Sequence, residues 1–317
     1  MHNIQVNERI YTSYTNTVEE FNFLPYKNYL FEIPYLGLIN VEGDKSKDFL
    51  QGQLSCDLRK VTTEQMQHGA LCDLKGRVFA LLDVIAPNSQ GVTLVLANDL
   101  IPATIQTLAK AAAFSRVKLS PANAKIYGFY LQNPNDIFPS LNHFPQQNFA
   151  ITSDNQHFMY HLGNNFYVII TKEGLDNSKF IEMNQFRGSL AWHVLRLKNH
   201  EFQIYPTTKN LFLPHRLDLH LHDYLSFDKG CYKGQEIIAR THYRAKLKHE
   251  MKVFTVKTSS PPVLGKRLLA IPDNKDIGEI VDYSPIKEDE YLIATSIIFE
   301  HPKKVKIEGN EEEITLT

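Results

Sequence analysis

Short apolar runs separated by turn residues fill the chain. Leu36-Gly37-Leu38-Ile39-Asn40-Val41 reads as a strand. Gly43-Asp44 then opens a helix with Asp44 as its N-cap, Phe49-Leu50 on its apolar side and Gly52 at its end. Gly69 to Leu74 and Arg77 to Ile85 predict two strands about a Lys75-Gly76 turn. The second is apolar on both faces apart from Asp83, as a covered strand is. Val92 to Ala97 is a third strand, followed by a helix that Asn98-Asp99 caps, with Pro102 near its start. Ile101, Ile105, Leu108 and Ala112 fall at helical spacing and face a core.

Lys125 to Gln132 predicts a further strand, residues 133–156 a long polar loop, and His157–Leu162 with Phe166–Thr171 a hairpin across Gly163-Asn164-Asn165. Gly174–Met183 and Ser189–Leu197 have helical patterns, and the lone tryptophan, Trp192, lies on the second. Beyond residue 247 the pattern becomes short β runs separated by Pro, Gly, Asn and Asp, which predicts a small antiparallel barrel or sandwich. The acidic end, Glu311 to Thr317, reads as a solvated tail. Strands followed by helices, without a βαβ repeat, place the fold in the α+β class.

The chain has 317 residues, enough for two or three domains. We expect a boundary near 247, dividing an α+β region, 1–246, from a C-terminal β domain, 247–317. A net charge of −1 excludes polyanion binding by bulk charge. Cys56, Cys72 and Cys231 are too few and scattered for a disulfide framework or a structural zinc site. There is no signal-peptide pattern and no apolar run of about 18 residues, so a cytoplasmic protein with no membrane partner is expected. Nucleotide fingerprints of the Gly-x-Gly-x-x-Gly or Walker type are absent.

Lys229-Gly230-Cys231-Tyr232-Lys233-Gly234-Gln235-Glu236 is the densest chemistry-bearing stretch. Its glycines place Cys231 on a tight loop. Both lysines, and the N-terminus of a helix beginning near Gln235, would favour the thiolate, so Cys231 is either a reactive or metal-handling thiol or a small residue in a turn. Residues 229–252 hold seven Lys or Arg against two Glu, a stripe interleaved with Tyr232 and Tyr243. That is either a polyanion surface or a solvated helix face. His220 and His222, two apart, would share a strand face and could ligate a metal, but no third ligand is evident, and no metal is expected.

The cysteine stretch, continuing through Ala239-Arg240 and Tyr243-Arg244-x-Lys246, resembles the signature of the YgfZ family, folate-binding relatives of the glycine-cleavage aminomethyltransferase, the T-protein. Further matches are Phe49-Leu50-Gln51-Gly52-Gln53, Cys72-Asp73-x-Lys75-Gly76-Arg77, Phe114-Ser115-Arg116-Val117-Lys118, Phe212-x-Pro214 and Ser226-Phe227. The resemblance implies a T-protein-like α+β fold of two interlocked lobes about a central cavity, with a C-terminal antiparallel β-barrel. It implies a bound folate, in a tetrahydrofolate form, and support of iron–sulfur enzymes, including those that modify tRNA; the basic 229–252 stripe separately suggests a weak tRNA contact. It marks Lys229, Gly230, Cys231, Tyr232, Gly234, Gln235, Glu236 and Arg240 as motif residues.

Two departures bear on chemistry. Val78-Phe79-Ala80-Leu81 stands where the T-protein carries an aspartate pair, which argues against aminomethyl transfer. Of two cavity tryptophans in bacterial YgfZ proteins, one matches Trp192 and the other falls at Leu36, beside Tyr35. Three readings follow: a folate-binding accessory factor for iron–sulfur assembly or repair and thereby tRNA modification, which the resemblance favours; a folate-dependent one-carbon transferase; and an RNA-binding module using the 229–252 stripe.

Overall fold

The computed structural model describes residues 2–88, 91–136, 143–154 and 156–317. Three sheets dominate it. One has the strand order Gln67–Cys72, Val78–Asn88, Gly91–Ala97, Leu36–Glu42, Lys118–Ala122, all antiparallel. Its first two strands are the expected hairpin, with Gly76 at φ +73° in the turn. The helix Ile101–Phe114 packs Ile101, Leu108 and Ala112 inward, as their spacing predicts.

The second sheet runs Ile151–Ser153, His157–Gly163, Phe166–Thr171, Lys125–Tyr130, Tyr29–Glu32, Phe186–Arg187. The hairpin 157–171 turns through Asn164 and Asn165, both at positive φ, which Asn tolerates better than most residues. The helix Ser189–Lys198 is almost wholly buried. The third sheet is C-terminal and antiparallel, in the order His249–Lys257, Glu290–Ile298, Asp276–Lys287, Arg267–Ala270, Lys304–Ile307, Glu313–Thr315. It curls into a half-barrel. Its two edges approach at one end, where Thr255 and Thr317 exchange backbone hydrogen bonds.

Four expectations are corrected. Lys45, not Asp44, precedes the helix Ser46–Gln51, and no side chain caps it. The long loop contains the strand Ile151–Ser153, because Ile151 and Thr152 pair with Tyr160 and Met159; residues 137–142 and 155 of that loop lie outside the described residues. His220 and His222 lie in irregular turns after the short 3-10 turn Pro214–Leu217, not on a strand. The acidic tail is not free. Its Glu313–Thr315 forms the sheet's edge, and Ile314 and Leu316 are buried, since their apolar side chains alternate with Glu313, Thr315 and Thr317 at strand period.

Candidate functional site

The signature segments meet in space. Lys229 turns its side chain into the fold, where Nζ donates to the carbonyl oxygens of Gln51 at 2.8 Å, Leu54 at 2.8 Å and Cys56 at 2.5 Å. Its ammonium also lies 5.0 Å from the Tyr232 ring centroid. The Lys233 amide donates to the Gly52 carbonyl at 3.1 Å. Gly234 takes φ +81° as the N-cap of the helix Gln235–Arg244, and a Cβ there would overlap the Asp73 carbonyl oxygen. The 49–56, 72–77 and 229–236 segments thus form one packed corner.

Within that corner Cys231 is the exposed thiol, while Cys56 and Cys72 are buried, with burial pushing each of their thiols up to about 12. Lys229 was expected to favour the Cys231 thiolate, but its charge is committed to the three carbonyls. Glu236 is exposed in the helix's first turn, and Tyr232 is buried with its hydroxyl unpartnered. Arg240, Tyr243, Arg244, Lys246 and Lys248 are exposed, and none of these cations forms an ion pair among the described residues. The helix's inner side rests on histidines. His242 stacks on Phe227 at 3.8 Å between ring centroids and lies 5.7 Å from His215, itself 4.9 Å from His220. Both His215 ring nitrogens are buried without a hydrogen-bond partner. Among the described residues no group of three or more His, Cys, Asp or Glu is placed to hold a metal.

A separate cleft opens between the first two sheets and the helix Ser189–Lys198. It contains about 580 Å³ of empty space including its mouth. Tyr35, Leu36 and Trp192, named from the sequence, all line it. Trp192 is 2% exposed, so it is a wall rather than a projecting platform. Its indole lies against the backbone of Gly128, where a Cβ would stand 2.5 Å from a ring carbon. Phe31 and Phe166 hold it at 5.3 and 5.5 Å between centroids.

The sequence reading missed the polar half of this cleft. Arg196 reaches it from one helical turn beyond Trp192, with its guanidinium 5.5 Å from the indole and paired to Glu201. Burial pulls Arg196 down to about 10, still a cation at neutral pH, and its Nη1 has no hydrogen-bond partner. Asp83 faces the same cleft. Its Oδ1 lies 2.7 Å from His68 Nδ1, and its Oδ2 accepts from the Tyr160 hydroxyl at 2.8 Å. His68 stacks on Tyr224 at 4.7 Å. One sequence signal could have found this pair: the hairpin register about Lys75-Gly76 sets His68 directly opposite Asp83. Asp83 thus sets a carboxylate on the cleft two residues beyond Leu81, where the same strand face recurs.

No protein-family model matches the chain. A protein of Haemophilus influenzae is 28% identical over 232 residues, spanning 73% of this chain and 75% of that one. The "tRNA-modifying protein YgfZ" of Sodalis glossinidius is 26% identical over 254 residues, 75% of this chain and 74% of that protein. The protein of the same name from Photobacterium profundum is 26% identical over 302 residues, 88% and 89% of the two chains. Among solved structures, the glycine cleavage system aminomethyltransferase T of Bartonella henselae superposes with a TM-score of 0.71 at 15% identity, covering 95% of this chain and 86% of that one. That likeness establishes the T-protein fold. No helix among the described residues is long and apolar enough to cross a membrane.

Proposed function

Since the chain belongs to the YgfZ family, we propose that it is a folate-binding accessory protein that supports iron–sulfur cluster assembly or repair and, through client enzymes, tRNA modification. The observation that carries this reading is the cleft, which gathers Tyr35, Leu36 and Trp192 beside a buried cation with an unpartnered donor. These residues fit a reduced folate. Aromatic and aliphatic walls suit a pterin or aminobenzoyl ring, and the positive charge of Arg196 suits a carbonyl or carboxylate oxygen. The cavity volume of the cleft is about 70 Å³, below the range of small-molecule sites, so a folate would have to widen it on binding. Tetrahydrofolate, when bound, would supply the one-carbon-carrying chemistry; this chain's residues would bind and orient it. Residues 1–246 would hold the folate, with 247–317 as a C-terminal β domain.

In the same reading Cys231 is the thiol offered, as thiolate, as a ligand to iron. The rest of the motif, Lys229, Gly230, Tyr232, Gly234, Gln235, Glu236 and Arg240, builds and flanks its corner. Stand-alone aminomethyl transfer is not part of the proposal, because Asp83 is already engaged by His68 and Tyr160. The test is complementation of a strain lacking the protein, read as the level of thiolated and methylthiolated tRNA. Restoration by the wild type and not by Cys231→Ser supports the accessory role; no restoration by the wild type rejects it.

A second reading has its own observation. The unpaired cations on and after the helix Gln235–Arg244, with Tyr243 69% exposed among them, form a surface suited to direct RNA contact.

A further inference from the structure

The His68–Asp83 pair is assigned no role by the accessory reading, yet its polarity can be worked out from one end to the other. Tyr160 donates its O–H to Asp83 Oδ2. Asp83, as a carboxylate, only accepts, so the 2.7 Å contact to His68 is an Nδ1–H donated to Oδ1. A neutral imidazole protonated on Nδ1 carries its lone pair on Nε2. Tyr224 covers one face of the ring at 4.7 Å, and Phe149 meets it edge-on at 5.0 Å. The ring is therefore fixed in place and in tautomer. Nε2 has no hydrogen bond and is not among the sealed unpartnered atoms, while His68 lines the cleft.

We propose that His68 Nε2, oriented by Asp83, is a hydrogen-bond acceptor offered to the cleft's ligand, so that the ligand turns an N–H donor toward it. The identity of that ligand rests on the folate reading above. A reduced pterin, whose ring and exocyclic nitrogens carry N–H groups, has the matching polarity. Arg196 lines the same cleft as a cation, so the cleft sets an acceptor beside a positive charge, with Nη1 itself sealed from solvent. His68 is then a binding residue and Asp83 a positioning residue. The other polar groups about the ring are Tyr160, Tyr224, Arg196, Glu201 and His222; the first four share its cleft or its carboxylate partner, and His222 interacts with it electrostatically.

The test uses the full chain, calorimetric titration with tetrahydrofolate and nitrogen-15 spectra of the histidine rings. Asp83→Asn keeps shape but lets the amide N–H donate to Nδ1, moving the imidazole proton to Nε2 and turning the acceptor into a donor. His68→Phe removes Nε2 and keeps the ring between Tyr224 and Phe149. Both variants are expected to bind about tenfold more weakly, the loss of one well-placed hydrogen bond. In the free wild type Nε2 should be unprotonated, and its resonance should move when ligand is added. Full affinity in Asp83→Asn with an unmoved Nε2 signal overturns the proposal. If the wild type binds no tetrahydrofolate, the folate reading and the ligand named here both fall, and the free-protein spectrum still decides the acceptor: a protonated Nε2 overturns it. Should His68→Phe fail to fold, Asp83→Asn and the wild-type spectra decide.

Discussion

Lys229 Nζ and the Gln51 carbonyl oxygen lie 2.8 Å apart although 178 residues separate them in the chain. This bond, with those to Leu54 and Cys56, anchors the cysteine loop to the end of the helix Ser46–Gln51. Lysine suits the place because its ammonium carries three donors and three carbonyls converge on it. Lys229→Met should keep the stem's packing and leave those carbonyls short of a donor. We expect a loss of about 2–3 kcal/mol of stability, read by urea denaturation. An unchanged midpoint would show the anchor to be dispensable.

Two glycines of the motif should respond oppositely. Gly234→Ala meets both a positive φ and the Asp73 carbonyl, and should cost more than about 1 kcal/mol. Gly230 has nothing within 4 Å of where a Cβ would stand. Gly230→Ala should change the unfolding midpoint little. Equal effects at the two positions would contradict the packed corner.

Thiol labelling should single out one cysteine. Burial pushes Cys56 and Cys72 up to about 12 and seals them from reagent, whereas Cys231 is exposed. Native protein treated with iodoacetamide at pH 8 should carry one adduct, at Cys231, and three after denaturation. Cys231→Ser should abolish native labelling and leave stability within about 0.5 kcal/mol, as surface changes do.

Acid should weaken the seat of the helix Gln235–Arg244. Burial, helped by His220 and His242, holds the His215 imidazole down at about 4. Unfolded histidine titrates near about 6.5. Between these values the unfolded chain binds the extra proton. The stability linked to neutral His215 is therefore complete above pH 6.5 and is lost as pH falls toward 4. His215→Phe should flatten that part of the stability–pH curve. A curve of unchanged slope would rule His215 out as its source.

The basic surface makes a separate prediction. If Arg240, Arg244, Lys246 and Lys248 contact RNA, the affinity for tRNA should fall steeply with salt, and each Ala substitution should reduce the slope of log K against log salt by up to about 1. A salt-independent affinity, or none, would remove the direct-contact reading.

Much of the fold was legible because its signals are local. Short apolar runs bounded by turn residues marked the strands 36–42, 67–72 and 78–88, and paired asparagines at the 164–165 turn marked the hairpin. The motif glycines announced a tight loop because few other residues tolerate φ +81°. The errors came where tertiary partners overrule local character. The acidic tail joined the half-barrel because Ile314 and Leu316 had a core to enter. Asp44 looked like a cap, but the helix begins one residue beyond its reach. For the cleft, the family resemblance named the wall: Trp192 matches one of the family's cavity tryptophans, and Leu36, beside Tyr35, stands at the place of the other. Arg196 and Glu201 look like ordinary surface charges in sequence, and only their burial together makes them a site. His68 and Asp83 were reachable through hairpin register but lie 15 residues apart in the chain.

The central claim is that the cleft beside Trp192 binds a reduced folate. Trp192 is the chain's lone tryptophan and lines that cleft, so its emission reports directly on occupancy. Titrating the intact protein with tetrahydrofolate should give a saturable change in that emission with half-saturation below about 1 mM, which corresponds to at least ~4 kcal/mol of binding. Emission that stays unchanged at millimolar tetrahydrofolate, with calorimetry equally silent, would contradict the account.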